Sequence, residues 1–321
     1  GENVSFDAFD IDIDAHNKAR QVQVPFNRSF ESSIRAGGGG GANGTAGLSY
    51  QNIKSLSAHV NIGENAVLKV SPLVLSSSAD DSGVSSLSSS LNSADHRITI
   101  DASTDFLVFD QAILEVGGAL QGAGTESDVD VNARNSVTLN DGVQLLNGIG
   151  EVSVGTYSKG NAAAGANVTV WAVAGVAGGT STSTVDVDND VTLGEGVIID
   201  SIEEINIFAG RSSDGLGQNQ IFADARTNVY NWTAVPIPAG NTARSRITLE
   251  NTVSFGDSYQ LGSDGDVNIG ALKGQVHATH SGIERNPYLE LFSAETTFGS
   301  SRSTTNTNQL VFGDLGQITA G

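Results

Sequence analysis

The sequence predicts an all-β fold: a parallel β-helix, or solenoid, of irregular repeats of about 55 residues. Three observations lead there. A nine-residue phrase returns along the chain: apolar, polar, apolar, then a Gly or Asn turn with an acid, and an apolar ninth place. Strong copies span Val60 to Leu68, Val137 to Leu145, Val191 to Ile199 and Val253 to Leu261. A second alternating segment follows each of them at a nearly fixed distance (Leu73 to Leu75, Val152 to Val154, Ile205 to Ile207, Val267 to Ile269), whereas the stretches before the next copy vary in length, as loops projecting from stacked coils do. The composition, with 39 Gly, 5 Pro and 16% charged residues, is poor for helix and suits strands joined by tight turns.

In chain order, a weak copy of the phrase opens at Val4 to Asp12, where Asp10, Asp12 and Asp14 alternate with Ile11 and Ile13. Residues 36–47 are almost all Gly and Ala, and residues 76–95 are Ser-rich; both read as excursions from the coil. Another weak copy falls at Phe106 to Leu114. Alternating segments at Val129 to Val131, Val185 to Val187 and Ile247 to Leu249 precede later copies, and period-two alternation places one set of side chains inward. Val168 to Ala177 reads as a buried strand, Val235-Pro-Ile-Pro238 as a kinked connection, and residues 300–308 as a polar, exposed excursion before a last weak copy at Leu310 to Ile318. The third place of the phrase, with Ile62, Val108, Leu139, Leu193, Phe255 and Phe312, would stack as an internal ladder. The whole of residues 1–321 is expected as a single elongated segment. An antiparallel β-sandwich is the alternative, disfavoured because Asn-Gly and Asp-Gly hairpin turns are scarce.

A net charge of −20 excludes a nucleic-acid partner, whose phosphates need clustered Lys and Arg. No apolar stretch reaches the roughly 18 residues of a membrane helix. With no Cys, neither a disulfide nor a Cys-based zinc site exists; with no Met, the chain is expected to be processed or part of a longer product. Asp10, Asp12 and Asp14, and likewise Asp186, Asp188 and Asp190, share one strand face about 6.8 Å apart, so calcium would need a neighbouring rung to complete its oxygen shell. The chief reading of both runs is a solvated stripe. His277 and His280 fall on opposite strand faces, Asp80-Asp81 lacks the companions of a sugar-cleaving site, G-x-S-x-G is absent, and the G-x-G-x-x-G match at Gly39 to Gly44 has no helix after it.

The segment from Ser183 to Asp200, with the Ala- and Gly-rich strands upstream at Gly165 to Gly179, resembles repeats of the large β-solenoid surface proteins of bacteria, the haemagglutinin-like and autotransporter-passenger-like adhesins. The resemblance implies secretion to the cell surface, a right-handed β-helix and a role in adhesion, matrix or filaments, and it brings no catalytic residue. The expected function is therefore an extracellular structural module, without catalysis, that stacks head to tail or continues in a longer chain to give a filament, stalk or matrix fibre. An adhesin binding a glycan or host surface through its loops, and a β-helix polysaccharide lyase or hydrolase, are the alternatives.

Overall fold

The computed structural model describes residues 3–20, 34–71, 96–237, 240–285 and 297–321. The excursion expected at 76–95, the segment Leu73 to Leu75 and the pair Asp80-Asp81 lie outside them. Two parallel sheets make up the described residues. One stacks six short strands in the order β1 (Ser5–Ala8), β4 (Val67–Val70), β6 (Gln144–Asn147), β8 (Ile198–Ser201), β12 (Gln260–Ser263) and β16 (Gln317–Thr319). The other stacks long passes of chain. These are β2 (Ile11–Arg20) with β3 (Ile34–Ile62); β5 (Arg97–Leu139); β7 (Glu151–Leu193); β9 (Ile205–Ala209), β10 (Gln220–Ile237) and β11 (Gly240–Phe255); then β13 (Val267–Ala271), β14 (Gln275–Arg285) and β15 (Thr297–Val311). Each long pass is called a tier below.

An extended run of 43 residues would reach about 140 Å. Instead β5 and β7 double back. In β5, Asp110 accepts a hydrogen bond from Ser127 at 2.7 Å, Asn135 donates to Thr104 at 3.3 Å, and Gln121 donates to the Gly117 carbonyl at 3.3 Å. Each tier is thus an outgoing arm, a tip near residues 117–122 of β5, and a returning arm. Alternation explains the arms: Val129, Val131 and Ala133 of the return pack with Phe106 and Val108 of the outgoing arm, while Asp128, Asp130 and Arg134 face out. Nearer the base, Val137 and Leu139 of the return, Val143 of the corner, Leu145 of the short strand and Val152 and Val154 of the next tier are fully buried in another cluster.

The repeated phrase builds the corner between a returning arm and a short strand. Its third-place residues Ile62, Leu139, Leu193 and Phe255 are register partners, and the Phe312 ring stacks on Phe255 at 5.0 Å. The sixth place takes a left-handed backbone at five copies: Asn65 (φ 53°), Gly142 (φ 68°), Gly196 (φ 67°), Ser258 (φ 59°) and Leu315 (φ 60°). Glycine suits that conformation without a Cβ penalty. The corners bond to one another, with the Asn65 amide donating to the Asp141 carbonyl, Gly142 to Glu195 and Gly196 to Asp257. The acid of the phrase is structural as well, since Asp141 Oδ1 accepts the Glu195 amide and Asp257 Oδ1 that of Asp314.

Several expectations are corrected. All strand ladders among the described residues are parallel, so the antiparallel sandwich falls; antiparallel pairing is confined to the isolated bridges Thr156 to Arg211 and Arg211 to Gln218. Residues 36–47 are no excursion: they lie in β3, and their backbone pairs with residues of β5 from Leu114 to Thr125. Hydrogen bonding to a neighbour that is itself held on its other side offsets the conformational cost of glycine, about 0.5–1 kcal/mol per residue. Residues 300–308 likewise lie in β15, paired with Ala243 to Asn251. Phe106 to Leu114 is mid-arm rather than a corner, so Val108 pairs with Ala162 outside the third-place column. Val4 leads into the short strand β1, in register with β4, and so occupies a later place in the phrase than its first. Val168 and Val170 are buried as expected, but Trp171 and Val173 sit at the tip, 57% and 62% exposed.

Candidate functional site

Two residues before four of the corner phrases stands an asparagine, at Asn135, Asn189, Asn251 and Asn308, and the register brings these four into one inward column. The amide nitrogen of each donates to the amide oxygen of the next: Asn135 to Asn189 at 2.8 Å, Asn189 to Asn251 at 2.9 Å, Asn251 to Asn308 at 2.8 Å. Asn219, Ser158 and Thr104 bond to the same spine from the outgoing arms. A buried amide is costly unless paired, so each tier is satisfied only when another lies on it. Below Asn135 the column holds Ala58, and Asn135 Oδ1 has no donor.

The last tier shows the same dependence in its apolar columns. Val253, Phe255 and Leu261 are buried at 0%, 4% and 2% exposure, while the residues that follow them in column, Leu310, Phe312 and Ile318, are 45%, 48% and 47% exposed. Among the described residues nothing covers these inward-pointing side chains. At the opposite end Phe6 is 58% exposed.

No family model, curated protein or solved structure matches the chain. The site therefore rests on its own geometry.

The acidic runs lie on outer faces. Asp10 Oδ1 accepts the Arg97 amide at 3.2 Å, and Asp12 accepts the Thr99 hydroxyl at 3.2 Å. Asp188 pairs with Arg134 of the tier below at 3.3 Å, and Asp190 has its carboxyl pushed up by burial and by the Asp188 charge beside it. Asp130 is pushed up by burial and by Asp186 across the tier boundary. The two runs stay on separate arms, and no group of three or more His, Asp or Glu suited to a metal ion occurs among the described residues. His277 stacks on the Phe222 ring at 5.6 Å, and His16 bonds to Ser103 at 2.9 Å.

Asp101 is held by a loop that crosses the tiers. Pairing along β5 sets it beside Asp14 below and Gly155 above, and the loop between β9 and β10 folds over that position. Both of its oxygens are taken by Ser213, Oδ1 by the amide at 2.9 Å and Oδ2 by the hydroxyl at 2.5 Å. Burial pushes its carboxyl up to about 6 against the lowering effect of those two bonds, with Asp214 and Asp14 adding to the rise. Burial also opposes ionisation of Asp214, but the Ser212 hydroxyl and the amides of Leu216 and Gly217 outweigh it and hold that carboxyl low. A side-chain carbon at Gly155 would collide with the Ser213 amide nitrogen, Asp101 Oδ1 and the Arg211 carbonyl, so glycine here lets the loop reach across a whole tier. Asp101 is thus a clasp for this loop. A recess of about 500 Å³ near the base is lined by Glu151, Glu203, Glu204 and Asp266.

Proposed function

We propose that the chain is a β-solenoid module of an extracellular structural or surface protein, and that its stack is extended at the open tiers by further rungs, from a longer chain or from another copy, to build a filament, stalk or fibre. The half-exposed inward column of Leu310, Phe312 and Ile318 carries this reading, because the same column is sealed one tier below. Stacked repeats gain stability from each added neighbour, and an open end repeated head to tail gives a fibre rather than a ring. The exposed amide of Asn308 gives an incoming rung a polar register mark at the place where Asn189 and Asn251 already meet. The net charge of −20 keeps a long acidic particle dispersed. No catalytic role is assigned to Asp101, whose two oxygens are engaged by Ser213.

Light scattering over a concentration series, with negative-stain imaging of the same samples, tests the self-assembling form. Elongated assemblies that shorten or vanish in a Phe312→Asp variant are expected. A wild-type chain that stays a monodisperse monomer throughout would sink assembly between copies. The solenoid itself is tested separately by the rung spacing of about 4.8 Å in fibre diffraction, running along the long axis.

A further inference from the structure

The tips of the tiers carry an aromatic step whose lower face is not matched by an aromatic ring in the tier below. Trp171 of β7 and Trp232 of β10 are register partners, and their rings lie parallel, 9° apart, with centroids 5.3 Å apart. In the same outward column the tier below has Gly117 and the one beneath that Gly39, so two successive tiers offer no side chain under the Trp171 ring. The indole is 57% exposed, and Trp232 stacks on its other side. With tiers about 4.8 Å apart, the two glycines give about 10 Å of backbone floor that bears no side chain in this column. One column inward, Glu115 and Thr169 stand side by side on the floor tier and on the tryptophan tier. On the tip side, Val173, two residues along from Trp171, is also exposed.

We propose that this step binds a neutral pyranose ring of an oligosaccharide, its C–H face on Trp171 and its hydroxyls toward Glu115 and Thr169. Three features of the place select that chemistry. Strand addition by a peptide needs a free sheet edge, and here β5 is paired on both sides by β3 and β7, and β7 by β5 and β10. Phosphates and other anions are disfavoured by a chain of net charge −20. A flat ring with one apolar face and polar edges matches an exposed indole bordered by a carboxylate and a hydroxyl. The site is independent of end-to-end stacking, so its failure and that of the stacking proposal are read by different experiments.

The chain has only 2 Trp, so a ¹⁵N-labelled sample gives two indole Nε1–H signals that report on the step directly. The probes are the hexasaccharides of cellulose, xylan, mannan, laminarin and chitin, with tetramethylammonium as a cation control. At least one hexasaccharide should shift the Trp171 signal saturably, with Kd of about 1 mM or tighter. A Cβ at Gly117 meets only the Trp171 carbonyl oxygen at 3.6 Å and Cβ at 3.9 Å, ordinary contacts, so Gly117→Leu should keep the wild-type circular dichroism and Tm while its side chain covers the ring and removes the response. Trp171→Ala, followed on the Trp232 signal, should weaken binding at least tenfold. The proposal is overturned by silence from all five sugars, by a response that survives in Gly117→Leu and Trp171→Ala, or by tetramethylammonium alone producing the shift, which would make the step a cation site.

Discussion

Asn189→Ala tests whether the internal asparagine spine holds the tiers together. The substitution removes the bond to Asn251 at 2.9 Å and the one accepted from Asn135 at 2.8 Å, along with longer contacts to Asn219 at 3.2 Å and Ser158 at 3.3 Å. The partners keep other bonds: Asn251 Oδ1 still accepts from Asn219 at 3.0 Å, and Asn135 still donates to the Tyr157 carbonyl at 2.9 Å. No buried group is orphaned outright, so the loss is about 1 kcal/mol for each of the two short bonds plus a small cavity, about 2–3 kcal/mol in all. The control is Asn206→Ala, which deletes the same chemistry on the outer face, where Asn268 donates to Asn206 at 3.1 Å in an exposed pair. It should cost under about 0.5 kcal/mol. Urea unfolding followed by far-UV circular dichroism gives both values, provided the m-values agree. Equal losses in the two variants, or a loss under about 1 kcal/mol in Asn189→Ala, would refute the idea that buried amides are what locks one tier to the next.

Two further outcomes are expected. Asp101 has its folded carboxyl raised to about 6 from an ordinary 3.8, so its protonation contributes about 3 kcal/mol of stability that is fully present below pH 3.8 and lost as pH rises through about 6. Asp101→Asn should therefore flatten the difference in Tm between pH 7 and pH 4 relative to wild type, and an unchanged difference would show that the clasp is not strained by its charge. Ala58→Asn places an amide in register beneath Asn135, whose Oδ1 lacks a donor, and should raise stability by about 1 kcal/mol, seen as a Tm increase of about 2 °C; a decrease would mean that the column at Ala58 is closed to a larger side chain.

The corners were legible because each requires a particular local arrangement: an inward apolar residue at the third place, a left-handed residue at the sixth, and an acid whose side chain caps the next corner. These demands leave marks at Leu139, Gly142 and Asp141 that survive variation elsewhere. The arms were harder to read, since a strand bonded on both sides tolerates weak local propensity. Residues 36–47 form a strand because β5 lies beside them, and the sequence of that stretch alone carries no sign of its neighbour. The period looked irregular for a related reason. Ile205 pairs with Val152 but Gln220 pairs with Lys159, so the additional residues of that tier are confined to one loop and the columns resume in phase. The asparagine spine was present in the sequence, two places before Val137, Val191, Val253 and Leu310, and was missed because Asn near a turn suggests a solvated cap. The loop clasp at Asp101 left no local signal at all, since Ser213 is 112 residues away along the chain.

Because every amide of the spine donates in the same sense, from Asn135 toward Asn308, the stack has a head and a tail that differ chemically. At one end of the stack Asn308 presents N–H groups, whereas at the other Asn135 Oδ1 is buried above the tier that holds Ala58. Two stacks meeting at their Asn308 ends would set donor against donor, so a further unit is received there by its opposite end. A fibre grown under this rule would be vectorial, with the orientation of every unit dictated by the one before it, and anything displayed at the tips would recur on the same side and facing the same way along its length.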